Sequence, residues 1–268
     1  MFLAYLLLLP ALVGCSLGSP LVSSRGRFEE RIAARNFTRR TGPRLPELPQ
    51  PGISGVSTNW AGGILSSSTP GTWEIVTGTF VLPTPQEPSG ATGTHGATIA
   101  IGLDGDTCQS ATFQTGIDMT VNAGVVSYVG WFQWFPDFSP IDFPSSEITF
   151  SPGDSVSLTL LTYFSSTRQR GTAIITNNSK GTVAIEGISA ATPLCGQDAE
   201  WTVQALSSGA PLANFGSVTF ANALTFTNAG GVGFLPGTSL VELETSSGQV
   251  LTSVSTTQST ITVNYIGP

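Results

Sequence analysis

Short segments of alternating polar and apolar residues follow one another from Ser57 onward. Ser155 to Leu160 alternates strictly, as do Ser217 to Phe220 and part of Thr260 to Tyr265. A period of two is typical of a strand with one buried face. Turn sequences recur between these segments, at 152–154, 179–181, 207–209 and 246–248. Short strands at such spacing predict an all-β fold, an antiparallel two-sheet β-sandwich.

The composition agrees with this fold class. The 31 glycines and 18 prolines suit turns, and 268 residues with 40% hydrophobic content are enough to bury the core of one domain. Only 10% of the residues are charged, well below the roughly 25% of an average soluble domain. The surface must therefore consist largely of Ser, Thr, Asn and Gln.

Basic and acidic residues are divided unevenly along the chain. Seven of the ten basic residues precede residue 50, whereas the rest of the chain holds three basic and fourteen acidic residues, a net charge of −11. A body this poor in cations is not expected to bind nucleic acid. It should be most soluble and most stable at low pH, where carboxylates are protonated and repel one another less.

The beginning of the chain predicts two segments that precede the folded domain. Residues 1–18 are apolar and end in small residues, which indicates a secretory signal peptide that is too short to span a membrane. Residues 19–54 hold a basic stretch and a proline-rich linker. We expect a secreted, extracellular protein that does not enter a membrane, with its folded β-sandwich domain at 55–268.

The basic stretch from Arg25 to Arg40 has two interpretations. It is either a solvated leader or a pro-segment that covers an acidic cleft as an intramolecular inhibitor, and Phe28 and Ile32 have the spacing of one helix face. We favour the pro-segment because its charge complements that of the body. Acidification would protonate carboxylates of the cleft and weaken such a lid.

Several common catalytic sites are excluded by composition. His95 is the only histidine, and the Gly-x-Ser-x-Gly motif of a serine hydrolase does not occur in the predicted folded domain at 55–268. One histidine and few cysteines do not favour a zinc site. Neither Asp-Thr-Gly nor Asp-Ser-Gly, the motifs of aspartic proteases, is present. We expect no metal and no cofactor.

Six short motifs, taken together and in this order, resemble those of one known family. They are Asn59–Gly62, Asp104–Cys108, Gln114–Gly116, Trp131–Pro136, Asp198–Trp201 and Phe215–Phe220. The family is the glutamic peptidases, or eqolisins, which are fungal acid endopeptidases, and the resemblance covers about residues 57 to 268. It implies a concanavalin/lectin-like sandwich of two curved sheets. It also implies a pepstatin-insensitive peptide hydrolase that is made as a zymogen.

The resemblance also implies which residues act. Gln114 of the Gln-Thr-Gly motif and Glu200 of the Ala-Glu-Trp motif correspond to the catalytic pair. Glu200 would act as general base on a water molecule, and the amide of Gln114 would stabilise the oxyanion. Asp104 would support the site as a hydrogen-bond partner near Gln114.

An aromatic strand offers candidates for a substrate groove. Residues 131–135 send alternate side chains to opposite faces, so that one face packs into the core and the other can line a groove. The groove candidates are Trp60, Trp131, Gln133 and Trp134. The chain departs from the family at Ala100, where members carry tryptophan, and at Val129 and Gln133, where they carry acids. Substrate preference and pH profile stay open for this reason.

Two modifications are expected in an oxidising compartment. Cys15 leaves with the signal peptide, so Cys108 and Cys195 remain to form a disulfide, which the resemblance also implies. Asn177 begins an Asn-Asn-Ser sequon and is the glycosylation candidate in the mature chain. We expect a monomer that acts on polypeptide substrates.

Two other functions stay open from the sequence. One is a non-catalytic, lectin-like sandwich that binds glycans through exposed tryptophans. The other is a glycosidase that uses Glu242 and Glu244, two residues apart on one strand. Solvated strand acids are the simpler interpretation of that pair.

Overall fold

The structure, a computed structural model, describes residues 52–162, 167–207, 210–233 and 235–267. The predicted signal peptide and nearly all of the predicted pro-segment lie outside these residues. The described residues contain strands and no helix, and hence no helix that could cross a membrane. The strands are β1 (Gly55–Ser57), β2 (Trp60–Ser66), β3 (Trp73–Val81), β4 (His95–Leu103), β5 (Thr112–Asn122), β6 (Val125–Phe135), β7 (Ile141–Asp142), β8 (Ser155–Thr162), β9 (Arg170–Asn177), β10 (Thr182–Ser189), β11 (Asp198–Gln204), β12 (Ser217–Thr227), β13 (Val232–Gly233), β14 (Ser239–Leu243), β15 (Thr252–Thr256) and β16 (Thr260–Tyr265).

The strands form two sheets. The first has the order β1-β14-β2-β11-β4-β5-β6-β7, and the second has the order β10-β9-β8-β3-β12-β16-β15, with β13 paired to β12. Strands β1 and β14 pair in parallel, and the other neighbouring strands of these two sheets pair antiparallel. This architecture confirms the predicted two-sheet β-sandwich.

The sheets pack face to face around one apolar core. Strand β8 alternates between buried and half-buried residues, as its sequence predicts. Trp201 of the first sheet reaches across the core and donates from Nε1 to the Thr77 carbonyl oxygen of the second sheet at 2.8 Å. Gly78 makes room for it, because a Cβ there would lie 3.1 Å from Trp201 Cδ1. The inner face of β11 is thereby identified as the one that carries Trp201.

The central strands of the first sheet are buried on both faces. Every residue of β4 and of β11 is buried, although only alternate ones face the core. The outer face of β11 therefore carries polar side chains in buried positions. On the same face, Trp60, Ile64 and Val241 form a second, smaller apolar cluster.

Candidate active site

A row of four residues crosses the outer face of the first sheet. Glu200 on β11 lies directly opposite Gly102 on β4, which lies opposite Gln114 on β5, which lies opposite Gln133 on β6. Directly opposed residues of paired strands point to the same face of a sheet. Since Trp201 faces the core, its neighbour Glu200 and the rest of this row face outward.

Gly102 brings the carboxyl and the amide together. A Cβ added to Gly102 would lie 3.0 Å from Glu200 Oε2 and 3.3 Å from Gln114 Nε2. Both functional groups therefore converge on the space above the glycine, which a longer side chain would fill. Glu200 is 0% exposed and Gln114 is 3% exposed. The sequence predicts both Glu200 and Gln114 as site residues but predicts no role for Gly102; a glycine inside a strand is the signal that marks it.

Two buried aspartates tie the strand of Glu200 to the strand of Gly102. The Asp104 carboxylate accepts from the backbone nitrogens of Gly196 (2.8 Å), Gln197 (2.7 Å) and Asp198 (3.1 Å). Asp198 in turn accepts from the Thr107 backbone nitrogen at 2.8 Å and from Thr107 Oγ1 at 2.7 Å. Asp104 thus holds the segment that leads into Asp198, and Asp198 holds the loop that follows Asp104.

This arrangement corrects the expected partner of Asp104. Its carboxylate holds the backbone that leads into Glu200, whereas the expectation was a hydrogen bond near Gln114. Burial raises the pKa of Asp104 to about 6 against the lowering effect of the three amides, and the negative charge of Asp198 contributes to the rise. Asp104 supports the site by positioning a strand.

The predicted disulfide is confirmed at the end of the same loops. Cys108 and Cys195 are bonded with a Cα–Cα distance of 6.2 Å, across 87 residues of sequence. The Cys108 backbone nitrogen also donates to Asp198 at 3.3 Å. Among the described residues, Asp104 and these two sulfurs form a group of possible metal ligands. Both sulfurs are consumed by the disulfide, so the group does not fit a metal.

The aromatic strand β6 divides as expected, with one correction. Trp131 and Gln133 lie on the outer face beside Gly116 and Gln114. Trp134 belongs to the core, where its ring lies 5.0 Å from that of Phe113, so it is not a groove residue. Trp134 could have been assigned to the core by its alternation with Gln133.

The loop after β6 is hydrogen-bonded to Gln133 of the site and to the segment that connects β10 with β11. Gln133 Nε2 donates to the Phe138 carbonyl oxygen at 3.0 Å. The Asp137 carboxylate accepts from the backbone nitrogens of Ala191 (2.6 Å) and Thr192 (2.7 Å) and from Thr192 Oγ1 (2.8 Å). These hydrogen bonds lower the pKa of Asp137, the bond from the Thr192 backbone contributing most. The loop therefore keeps its charged anchor in mild acid.

The remaining departures from the family lie on the same outer face. Ala100 is buried directly opposite Gly116, in the row next to that of Glu200 and Gln114. Val129 lies opposite Asp118, one row further along. Neither position interrupts the Glu200–Gln114 row.

The structure argues against glycosylation of Asn177. This residue is 0% exposed, and its Nδ2 donates to Asp154 Oδ2 at 2.7 Å and to the Thr149 carbonyl oxygen at 3.0 Å. A glycan on Nδ2 would remove at least one of these bonds and would have no room. The sequon is a local sequence signal for the transferase, whereas the burial of Asn177 is set by the tertiary structure.

The two alternative functions find little support. Trp60, Trp131, Trp134 and Trp201 are fully buried, which does not fit a glycan site built from exposed tryptophans. Glu242 is buried opposite Val56, and Glu244 follows the end of the strand, where it bridges to Val250. The candidate glycosidase pair therefore does not share one exposed strand face.

Comparison with known proteins agrees with the site. Residues 58–265 match the Peptidase A4 family. The chain is 33% identical over 280 residues to aspergillopepsin-2 of Aspergillus niger, covering 94% of this chain and 95% of that protein.

Solved structures give the same result. A crystal structure of scytalido-glutamic peptidase with a peptide-based transition-state analogue is similar with a TM-score of 0.66 and 27% identity, covering 79% of this chain and 100% of that one. Aspergilloglutamic peptidase from Aspergillus niger is similar with a TM-score of 0.58 and 34% identity, covering 64% of this chain and 99% of that one.

The fold, the site and these relatives define a peptide hydrolase of the glutamic type. The chain belongs to the Peptidase A4 family. The resemblance inferred from the six motifs is confirmed.

Proposed function

We propose that this protein is a secreted acid endopeptidase in which Glu200 is the general base and Gln114 stabilises the oxyanion. The observation that carries the proposal is the convergence of Glu200 Oε2 and Gln114 Nε2 above Gly102. The carboxylate and the amide lie close together on a buried sheet face. They can therefore act as base and as hydrogen-bond donor on one peptide group of a substrate. The relative that binds a peptide-based transition-state analogue supports a peptide ligand for this fold.

In the proposed reaction Glu200 removes a proton from a water molecule, and the water oxygen bonds to the scissile carbonyl carbon. The carbonyl π electrons move to its oxygen, which accepts a hydrogen bond from the NH2 group of Gln114. Glu200 then returns the proton to the amide nitrogen of the substrate as the C–N bond breaks. The products are a carboxylic acid and an amine, and Glu200 is regenerated.

Gln114 takes the place that a protonated carboxyl has in an aspartic dyad. An amide does not titrate, so its donor is present at every pH at which the protein is folded. The pair by itself therefore does not require acid. We infer that the acid preference comes from release of the pro-segment, from unfolding of the substrate and from the stability of the enzyme.

The zymogen proposal rests on charge and burial. The leader carries seven arginines before residue 50, and the rest of the chain has a net charge of −11. Glu200 is fully buried, so a substrate reaches it only after a rearrangement. Removal of a basic leader in acid would provide one, because protonation of the body's carboxylates weakens its attachment.

Intact mass and N-terminal sequencing before and after acidification test this maturation. We expect a mass loss that corresponds to cleavage between residues 19 and 54, with activity appearing in parallel. Full activity of a chain that retains its leader would contradict the zymogen proposal.

The catalytic proposal is tested by hydrolysis of an unfolded protein at about pH 3 with pepstatin present, after acid maturation. We expect Glu200→Ala and Gln114→Ala each to lower kcat by at least ~100-fold. Glu186→Gln, on the edge strand β10 of the second sheet, is the control and should retain activity. Cleavage by folded Glu200→Ala at the wild-type rate would refute the proposed base.

A further inference from the structure

A surface pocket of about 410 Å³ reaches the Cys108–Cys195 disulfide. It is formed by connections between strands, among them the segments that lead into β9 and β11. Its lining includes Ser110, Arg168, Leu194 and Cys195. None of the described residues that line it belongs to the Glu200–Gln114 row, so the pocket needs an explanation of its own.

The two sulfurs differ in access from this pocket. Cys195 is half-buried and lines the pocket, whereas Cys108 is only 6% exposed and is not part of the lining. The exposed Ser110 hydroxyl lies 3.2 Å from Cys108 Sγ and 3.8 Å from Cys195 Sγ. Thiol–disulfide exchange takes place at the sulfur that the attacking thiolate can reach. Cys195 is therefore the sulfur open to attack, and Cys108 is the leaving group.

Arg168 gives the pocket an affinity for anions. It is the only charged residue among the described residues of the lining. Its Nε donates to the Leu194 carbonyl oxygen at 3.0 Å, and the Leu194 nitrogen donates to the Arg168 carbonyl oxygen at 3.1 Å. The guanidinium is thereby held beside the residue that precedes Cys195. A guanidinium group matches the geometry of a carboxylate.

One buried acid competes for the charge of Arg168. Burial raises the pKa of Glu74, and the nearby positive charge of Arg168 partly offsets this rise. Glu74 is not part of the pocket lining. An anion in the pocket and the Glu74 carboxyl would therefore approach Arg168 from different directions.

We propose that this pocket is a modification site at which a small thiol that carries a carboxylate opens the disulfide at Cys195. Arg168 binds the carboxylate, and the thiolate sulfur forms a bond to Cys195 Sγ. The bond between Cys195 Sγ and Cys108 Sγ breaks, and its electron pair leaves on Cys108 Sγ, which accepts a hydrogen bond from Ser110 Oγ. A second thiolate then bonds to the sulfur of the adduct and releases the Cys195 thiolate. The two small thiols are oxidised to one disulfide, and the protein disulfide is reduced to two thiols.

Opening the disulfide would act on the strand that carries Glu200. The nitrogen of Gly196, next to Cys195, donates to Asp104 at 2.8 Å, and the Cys108 nitrogen donates to Asp198 at 3.3 Å. The disulfide is thus the covalent part of the tie between these two loops, and the hydrogen bonds are the rest. In acid the attacking thiol is protonated and the exchange stops, so the modification belongs to conditions near neutral pH.

The test measures how fast the full-length protein forms a mixed disulfide at about pH 7 and low ionic strength. The probes are straight-chain mercapto carboxylates with two to four carbons and the mercapto alcohols of the same length. Acid stops the exchange, after which intact mass gives the rate and peptide mapping gives the position of the adduct. Each rate is divided by the rate of the same thiol with bis(2-hydroxyethyl) disulfide, which removes differences in the intrinsic reactivity of the thiols. The readout is the carboxylate-to-alcohol ratio of these normalised rates.

We expect a ratio of about 5 or more for one chain length in the wild type, with the adduct on Cys195. Arg168→Gln should bring this ratio close to 1. Arg170→Gln is the matched control, because it removes an exposed arginine two residues away and should leave the ratio unchanged. Ser110→Ala should slow both kinds of thiol by about 3-fold or more without changing the ratio, since the leaving thiolate loses a hydrogen-bond donor.

Several results would overturn the inference. They are a wild-type ratio near 1 at every chain length, a ratio that persists in Arg168→Gln, an adduct on Cys108, or no mixed disulfide at all. Reduction through the unfolded chain treats both kinds of thiol alike and gives a ratio near 1, so it also counts against the pocket. None of these readouts depends on peptide hydrolysis, and failure of the proposed function would leave them unchanged.

Discussion

Glu200 and Gln114 lie on either side of Gly102, on the two strands that flank β4. The position of a Cβ on Gly102 would be 3.0 Å from Glu200 Oε2 and 3.3 Å from Gln114 Nε2. The glycine is therefore as much a part of the site as the two side chains, because it provides the space in which they meet.

Gly102→Ala should reduce activity more than it reduces stability. The added methyl group must displace Glu200 Oε2 or the Gln114 side chain by a few tenths of an ångström. Catalytic geometry is sensitive to such shifts, and we expect kcat/KM to fall by about 10-fold or more. Peptide hydrolysis and thermal unfolding measured on the same preparation separate the two effects.

The matched control is Gly187→Ala on β10. A Cβ at that position meets nothing within 4 Å, so activity should be unchanged. Equal activity of Gly102→Ala and the wild type would show that the space above Gly102 is not used in the reaction.

Gln114→Glu should make activity depend on a second titration. Two carboxyl groups would then converge above Gly102, and they cannot both ionise without repulsion. The new carboxyl can donate a hydrogen bond only while it is protonated. We expect kcat/KM to fall by about 10-fold or more between about pH 3 and pH 6 relative to the wild-type profile.

The pH–rate profiles of Gln114→Glu, the wild type and Gln249→Glu decide this prediction. Gln249 is exposed in the turn before β15, so its substitution adds the same charge far from the row. A profile for Gln114→Glu that parallels the wild type would argue against an oxyanion donor at residue 114.

Asp104 should make the protein less stable at neutral pH than in acid. Its pKa is raised from 3.8 to about 6, mainly by burial. A carboxyl whose pKa is raised in the folded state contributes stability that is fully present below the unfolded value. That stability is lost as the pH rises through the folded value. The expected loss between about pH 4 and pH 7 is on the order of 3 kcal/mol of unfolding free energy.

Denaturant unfolding at a series of pH values tests this slope. Asp104→Asn should be less stable than the wild type in acid, because three backbone amides lose a carboxyl partner. Its stability should nevertheless vary less with pH over this window. Glu147→Gln, at an exposed position, is the control. An unchanged slope in Asp104→Asn would assign the pH dependence to other groups.

Asn177 should carry no glycan and should be important for the stability of the protein. Its side chain joins Asp154 to the Thr149 backbone, and Lys180 Nζ lies 3.2 Å from Asp154 Oδ2 on the other side. Asn177→Ala should lower the unfolding free energy by about 1–3 kcal/mol, since Asp154 loses a buried partner. Peptide mass spectrometry checks the modification, and an intact glycan at Asn177 would contradict the burial.

Much of the fold could be predicted because it depends on local pattern. The alternation in β8 and the turns around it identify strands without reference to distant residues. The paired cysteines and the motifs around Gln114 and Glu200 were recognisable from residue type and order alone.

Other features could not be predicted from the pattern. Strands β4 and β11 are buried on both faces, so their outward polar residues do not show the alternation of a solvated strand. The partner of Asp104 was expected near Gln114 and is the backbone at 196–198. Asn177 matched a surface signal and lies in the interior.

The sequence by itself determined the strands, the two-sheet class, the acidic body and the types of residue available for catalysis, because composition and alternation act locally. Only the tertiary structure decided which of these residues meet. Glu200, Gly102 and Gln114 come together through the register of three strands, and a shift of one residue in β11 would turn Glu200 toward the core. Register depends on the packing of the whole sandwich, which no short stretch of sequence contains.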